Sequence, residues 1–65
     1  MRIFVNGEAT DCEDATIEKL IQFHGLSPET TLVEHNGSAL RRREWATQKL
    51  EENDRVEILR VSAGG

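Results

Sequence analysis

The sequence lacks most of the residues on which small stable or catalytic domains rely. Its 65 residues include one cysteine (Cys12), one proline (Pro28) and no tyrosine. A single cysteine excludes an intramolecular disulfide. Cys12 and two histidines also give neither the number nor the paired spacing of ligands that a structural metal site needs. A domain of this size must therefore be held together by a compact apolar core in which almost every apolar residue is used.

The sequence also has no apolar run of membrane-spanning length and no secretory leader pattern, so we expect a soluble cytoplasmic protein without a membrane partner. Its formal net charge is −4, from 12 acidic and 8 basic residues. Nucleic-acid-binding proteins present a basic surface to phosphates, so this balance argues against a nucleic-acid partner. The one basic run, Arg41–Arg43, is typical of a solvated turn or helix start.

Catalytic motifs are missing as well. There is no Gly-rich phosphate loop, and serines, histidines and aspartates are scattered over a chain too short to enclose a pocket. We expect His24 to be partly buried on a helix, His35 to lie at the surface of a hairpin, and Cys12 to be a small buried apolar residue. The sequence thus predicts no catalytic residue and no metal ligand.

What the chain does contain begins with a hairpin. Ile3 and Val5 alternate with Phe4, which predicts a strand with one face on a core and Phe4 on the other face. Asn6-Gly7 follows, and both residues tolerate the positive φ angles of a type I′ turn. We expect the second strand to run from Glu8 to about Cys12.

A single helix is predicted next. Thr16 is the expected N-cap, with Asp14 as an alternative, and Gly25 is typical of the residue that ends a helix. Apolar-face spacing at i, i+3, i+4 and i+7 places Ile17, Leu20, Ile21 and His24 on one side.

The second half predicts three more extended segments. Residues 30–35 are β-rich, with either Leu32 or Val33 facing the core, and Asn36-Gly37 connects them to a short strand over 38–40. Trp45 follows in a turn or short helical segment and is expected to fold onto the core. After a tight turn at 52–54, residues 55–61 form the last strand, in which Val56 and Ile58 face inward and Leu59 faces out.

This order predicts an α+β fold in which one helix lies across a mixed sheet of four to five strands. Because the helix separates the two halves, the first and last strands would run parallel at the centre. We expect one domain over residues 1–61 and a flexible tail over 62–65. Two terminal glycines could simply fray, or they could thread a narrow channel and deliver a carboxylate to another protein. The tail is Ser62, Ala63, Gly64 and Gly65.

Taken together, these motifs resemble those of a known family. The opening 1–7, the single helix and the terminal Gly64-Gly65 resemble β-grasp, ubiquitin-like proteins. Arg42-Arg43-Glu44-Trp45-Ala46, the turn and strand Asn53–Ile58, and the ending Val61–Gly65 resemble the ThiS sulfur carriers of thiamin biosynthesis over essentially the whole chain. Asn53 stands where that family usually has glycine, and asparagine also tolerates the left-handed conformation.

The resemblance implies a chemistry for the tail. A ThiF-type adenylyltransferase, using ATP and magnesium, would adenylate the carboxylate of Gly65. Sulfur from a cysteine desulfurase persulfide would convert it to a thiocarboxylate, and a ThiG-type thiazole synthase would accept that sulfur. The protein would bind no cofactor itself and would be a protein cosubstrate, not an enzyme.

Partner contact is predicted from strand alternation. Phe4 and Leu59, on adjacent strands, would form an exposed apolar patch beside the root of the tail, extended by Val61. Three alternatives stay open at this point. The chain could be the small subunit of a molybdopterin synthase, a ubiquitin-like modifier joined to lysines, or a plain interaction domain with an inert tail.

Overall fold

The computed structural model describes residues 1–61 of the chain. These residues form a five-stranded sheet with strand order β2-β1-β5-β3-β4, and an α-helix lies between β2 and β3 in the chain. The expected α+β architecture is confirmed. The elements are β1 (Arg2–Val5), β2 (Glu8–Asp11), α1 (Ile17–Phe23), β3 (Thr31–His35), β4 (Ser38–Leu40) and β5 (Arg55–Arg60), with 3₁₀ turns over Pro28–Thr30 and Arg42–Glu44.

The terminal strands lie side by side and parallel, as predicted. Val5 is opposite Val56 at the centre of the sheet, and α1 is part of the connection that a parallel pairing requires. Both hairpin predictions are also confirmed. Asn6 and Asn36 have φ angles of 50° and 51°, and each is followed by a glycine with positive φ, as type I′ turns demand.

Helix α1 begins where the side chain of Thr16 accepts a hydrogen bond from the Lys19 amide (3.3 Å), so Thr16 is the N-cap. Gly25, at φ +67°, follows the C-cap, as predicted for the residue that ends the helix. The prediction that His24 is partly buried is wrong, because the helix stops at Phe23 and His24 is only its exposed C-cap. Gly25 then turns the chain, and Leu26 packs against the core instead.

The core lies between α1 and the inner face of the sheet. Trp45 is almost fully buried beside the 3₁₀ turn that begins within the Arg41–Arg43 run, as the sequence predicts, and these arginines are exposed. Burial of such side chains is the main favourable term in folding, at roughly 25 cal/mol per Å². The buried apolar residues are Ile3, Cys12, Ile17, Leu20, Ile21, Val33, Trp45, Leu50 and Val56.

The turn that leads into β5 is held by a buried carboxylate. Asn53 has φ +70°, and the next residue, Asp54, accepts hydrogen bonds from the Glu51 amide (2.9 Å) and the Asn36 side chain (3.0 Å). The ring of His35 lies 2.7 Å from the same carboxylate. His35 is therefore not the plain surface residue predicted, because the β3–β4 hairpin folds its ring onto this turn. Burial raises the pKa of Asp54, but these hydrogen bonds outweigh it and leave the pKa below its usual value.

We expect Asp54→Asn to lower the free energy of unfolding at neutral pH by about 1–3 kcal/mol, since it leaves buried donors without their charged acceptor. A depressed folded-state pKa adds stability above the unfolded pKa and loses it as the pH falls through the folded pKa. The deficit of the variant should therefore shrink between about pH 5 and pH 2. Urea unfolding followed by Trp45 fluorescence, repeated across this pH range, measures the free energy of unfolding of the variant and the wild type. Asp11→Asn, at an exposed position on β2, is the matched control, and an equal pH dependence in both variants would contradict the assignment.

Candidate partner-docking site

The outer face of the sheet, opposite α1, is the candidate site. Alternation along each strand turns Ile3, Val33 and Val56 inward, where they are buried. The neighbouring residues of the same strands consequently face outward. No helix covers this side in the described part of the chain, so it is the surface on which a partner can lie. The outward residues that concern the site are Phe4, Leu32, Glu34, Glu57 and Leu59.

The most exposed apolar feature of this face is a cross-strand leucine pair. Leu32 and Leu59 are directly opposite each other on β3 and β5, and their side chains are 55% and 57% exposed. Together with Ala39 they border a shallow cavity of about 150 Å³. We call Leu32 and Leu59 the leucine patch. It lies near the end of β5, where the chain continues toward residues 62–65.

Leu59 faces outward as predicted, but the predicted patch of Phe4 with Leu59 is wrong in its geometry. Phe4 is opposite Arg55, at the start of β5, and four residues along a strand correspond to about 13 Å. Phe4 is also half-buried, and the guanidinium of Arg2 lies 5.6 Å from the centre of its ring. Leu32, and not Phe4, is the cross-strand neighbour of Leu59. Sequence reasoning missed it because the register between β3 and β5 is set by long-range pairing.

An acidic pair adjoins the leucine patch. Glu34 and Glu57 are directly opposite each other on β3 and β5, two positions along the ladder from Leu32 and Leu59. Like charges placed in this way destabilise a sheet. Both glutamate side chains are on the same face as the two leucines. All four residues border the shallow cavity described above, so they are neighbours. The surface combines an apolar centre with a negative edge, which suits a partner with apolar and cationic groups.

The chain leaves the sheet beside this patch. Val61 is 43% exposed, and its amide donates to the Thr30 carbonyl (2.8 Å), so the end of β5 is fixed on its β3 side. The predicted tail residues, Ser62, Ala63, Gly64 and Gly65, lie outside the described residues.

Among the described residues, the other reactive groups do not gather into a site. Cys12 is buried, as predicted. Burial raises the pKa of its thiol, and the neighbouring Asp14 carboxylate adds to this while a backbone hydrogen bond opposes it. Within residues 1–61, no three histidine, cysteine or acidic side chains are placed to hold a metal ion. In the same range, no helix has the length and apolarity to cross a membrane.

The whole chain is similar to proteins of thiamin biosynthesis. The model of the ThiS family matches residues 2–65. The crystal structure of the thiamine biosynthesis protein ThiS from Geobacter metallireducens superposes with a TM-score of 0.83 at 28% identity, covering 100% of both chains. A solution structure of a thiamine biosynthesis protein from the same organism has a TM-score of 0.81 at 28% identity, covering all of this chain and 88% of that one.

A larger relative is also similar. A thiazole synthase from Magnetococcus marinus is 33% identical over 66 residues, which cover 100% of this chain and 20% of that protein. The chain thus spans about a fifth of the length of this curated relative.

The acidic pair leads to a prediction about stability. Glu57→Gln should raise the free energy of unfolding by about 0.3 kcal/mol, because it removes the repulsion between Glu57 and Glu34. The gain should fall as salt is added, since exposed charges are screened. Urea unfolding at low and high ionic strength measures both effects. Glu8→Gln, on the edge strand β2 and opposite Val5, is the control and should show no gain. A destabilised Glu57→Gln protein would mean that the two carboxylates do not repel.

Proposed function

This chain belongs to the ThiS family of sulfur carriers of thiamin biosynthesis, and on that basis we propose that Gly65 is the residue that carries the sulfur. An adenylyltransferase of the ThiF type activates the Gly65 carboxylate, and a thiazole synthase of the ThiG type accepts the sulfur. The observation that carries the proposal is that the family match extends through the final glycine pair.

The chemistry follows from the reactivity of a carboxylate. A carboxylate oxygen attacks the α-phosphorus of ATP, which releases pyrophosphate and forms an acyl-adenylate. The terminal sulfur of a persulfide then displaces AMP from the acyl carbon and forms an acyl disulfide. A second thiol attacks the donor's sulfur of that disulfide, which forms a new disulfide and releases the thiocarboxylate. ATP, magnesium and the desulfurase persulfide belong to the partners, and this chain supplies only the carboxylate. The sulfur of the thiocarboxylate is a soft nucleophile, which a carboxylate is not.

Thiazole formation is the acceptor reaction that the comparisons favour. The similar region of the Magnetococcus marinus protein is part of a longer chain named thiazole synthase. A carrier-like domain joined to such an enzyme would be held close to it, and linkage raises the effective concentration of one for the other. We therefore place sulfur donation to a thiazole synthase ahead of donation to a molybdopterin synthase.

The leucine patch is the surface we propose for docking the adenylating partner. It is the largest exposed apolar pair on the uncovered face of the sheet, and it lies beside the end of β5. A partner that covers Leu32 and Leu59 is therefore close to the residues that follow Val61. The acidic pair beside the patch adds attraction to a cationic partner surface, and this steers association at low salt.

The carrier chemistry is tested by mass. After incubation with the adenylating partner, ATP and a persulfide donor, the protein should gain about 16 Da, because one oxygen is replaced by sulfur. Fragmentation should locate the gain at Gly65. The control is a chain that ends at Ala63, which should stay unmodified. A protein that keeps its mass, or gains sulfur elsewhere, would overturn the proposal, and adducts on lysines would favour a modifier role instead.

Docking is tested by kinetics. Leu59→Ser should raise the KM of adenylation by about tenfold and leave kcat nearly unchanged, because it removes binding that is the same in ground and transition states. Since Leu59 is exposed, the substitution should change the free energy of unfolding of the protein by no more than about 0.5 kcal/mol. Phe23→Ser is the matched control, as Phe23 is 77% exposed on α1, away from the outer face. Equal effects of the two substitutions on KM would show that the leucine patch is not the docking surface.

A further inference from the structure

Within residues 1–61, the end of β5 has a neighbouring strand on its β3 side only. Main-chain groups of successive β5 residues point alternately to β3 and to β1. Thus the Arg55 carbonyl accepts from the Asn36 amide, and the amide of Val61, which follows β5, donates to the Thr30 carbonyl, so both bonds lie on the β3 side. The Val56 carbonyl accepts from the Asn6 amide on the β1 side (2.9 Å). The pairing with β1 ends where Val5 lies opposite Val56. The next residue to face β1, Ile58, therefore has no strand residue opposite it.

The side chain of Asn6 fills this gap. Its Oδ1 accepts from the Ile58 amide (2.7 Å), and its Nδ2 donates to the Ile58 carbonyl (3.2 Å). A carboxamide has the same donor and acceptor as a peptide group. The Asn6 side chain therefore makes the two hydrogen bonds to Ile58 that a longer β1 would have made, although the main chain has already turned into the hairpin. Asn6 makes these bonds from the first residue of the hairpin turn, where its φ is 50°.

From this contact we propose that Asn6 is a positioning residue for the sulfur-carrying end of the chain, an inference that rests on the proposed function of Gly65. With the Asn6 carboxamide in place, Ile58 is bonded on its β1 side and Val61 on its β3 side. The end of β5 is therefore held on both sides up to Val61, the last residue that the structure describes. Without it, this part of β5 is bonded to β3 alone.

Positioning of this kind affects the reaction more than the binding. A reacting group held in place has already lost the freedom that the transition state requires it to lose. The leucine patch would still bind the partner when Asn6 is replaced. The carboxylate would then arrive from a more variable position, so the fraction of complexes ready to react would fall.

The chain offers a matched control in Asn36. It occupies the same position in the second Asn-Gly turn, with φ of 51°, and its side chain also bonds to the β5 main chain, accepting from the Arg55 amide (2.8 Å). It acts at the start of β5, whereas Asn6 acts near the end. Glycine tolerates positive φ, so Asn6→Gly and Asn36→Gly both keep their turns and lose only the side-chain contacts.

The experiment compares these two variants under conditions where circular dichroism finds both folded. Asn6→Gly should speed amide hydrogen exchange at Ile58 by about tenfold relative to Asn36→Gly, since the amide loses its acceptor. In adenylation with the ThiF-type partner it should lower kcat about fivefold to tenfold, with KM within roughly twofold of the wild type. Asn36→Gly should keep both constants.

The results distinguish the positioning role of Asn6 from the proposed function of Gly65. Faster exchange at Ile58 with the kcat of Asn36→Gly would overturn the positioning role and leave the proposed function intact. Equal exchange at Ile58 in the two variants would overturn it as well, because the contact would not be holding the strand. A wild-type chain that is never adenylated would overturn the proposed function and this inference with it.

Discussion

The double-sided hydrogen bonding of β5 is the constraint on which the rest of the structure depends. Its six residues lie between β1 and β3, and a central strand must find partners for its amides and carbonyls on both edges. β1 runs parallel to β5, so the chain between them needs a crossover, and α1 within it covers one face of the sheet. The uncovered face and the course of the last residues both follow from this arrangement.

Much of the fold could be predicted because its determinants are local. Asn6-Gly7 and Asn36-Gly37 need only their own φ preferences to specify turns, and Asn53 keeps the left-handed conformation that a glycine would have had. Thr16 caps α1 with its own side chain. Alternation in β1 and β5 was sufficient to assign their inner and outer faces, because one face of each strand is buried.

What could not be predicted depends on register between distant segments. Leu32 meets Leu59 only because β3 pairs antiparallel with β5 in one alignment, and the sequence left Leu32 and Val33 as equal candidates for the core. The separation of Phe4 from Leu59 is a matter of how far β1 extends along β5. His35 and Asp54 are 19 residues apart, and no local pattern connects them. The role proposed for Gly65 rests on the family match and not on the geometry of residues 1–61.

The two faces of the sheet differ in a way that folding alone does not explain. The inner face buries its apolar residues against α1, whereas the outer face leaves Leu32 and Leu59 in water and sets Glu34 against Glu57. Repulsion between Glu34 and Glu57 is unfavourable in the isolated protein, and the exposed parts of Leu32 and Leu59 are apolar area that a partner could remove from water. A domain of this size has little stability to spare. One partner surface with apolar and cationic groups would satisfy both pairs together. These features support the proposal that the outer face is a partner-binding surface.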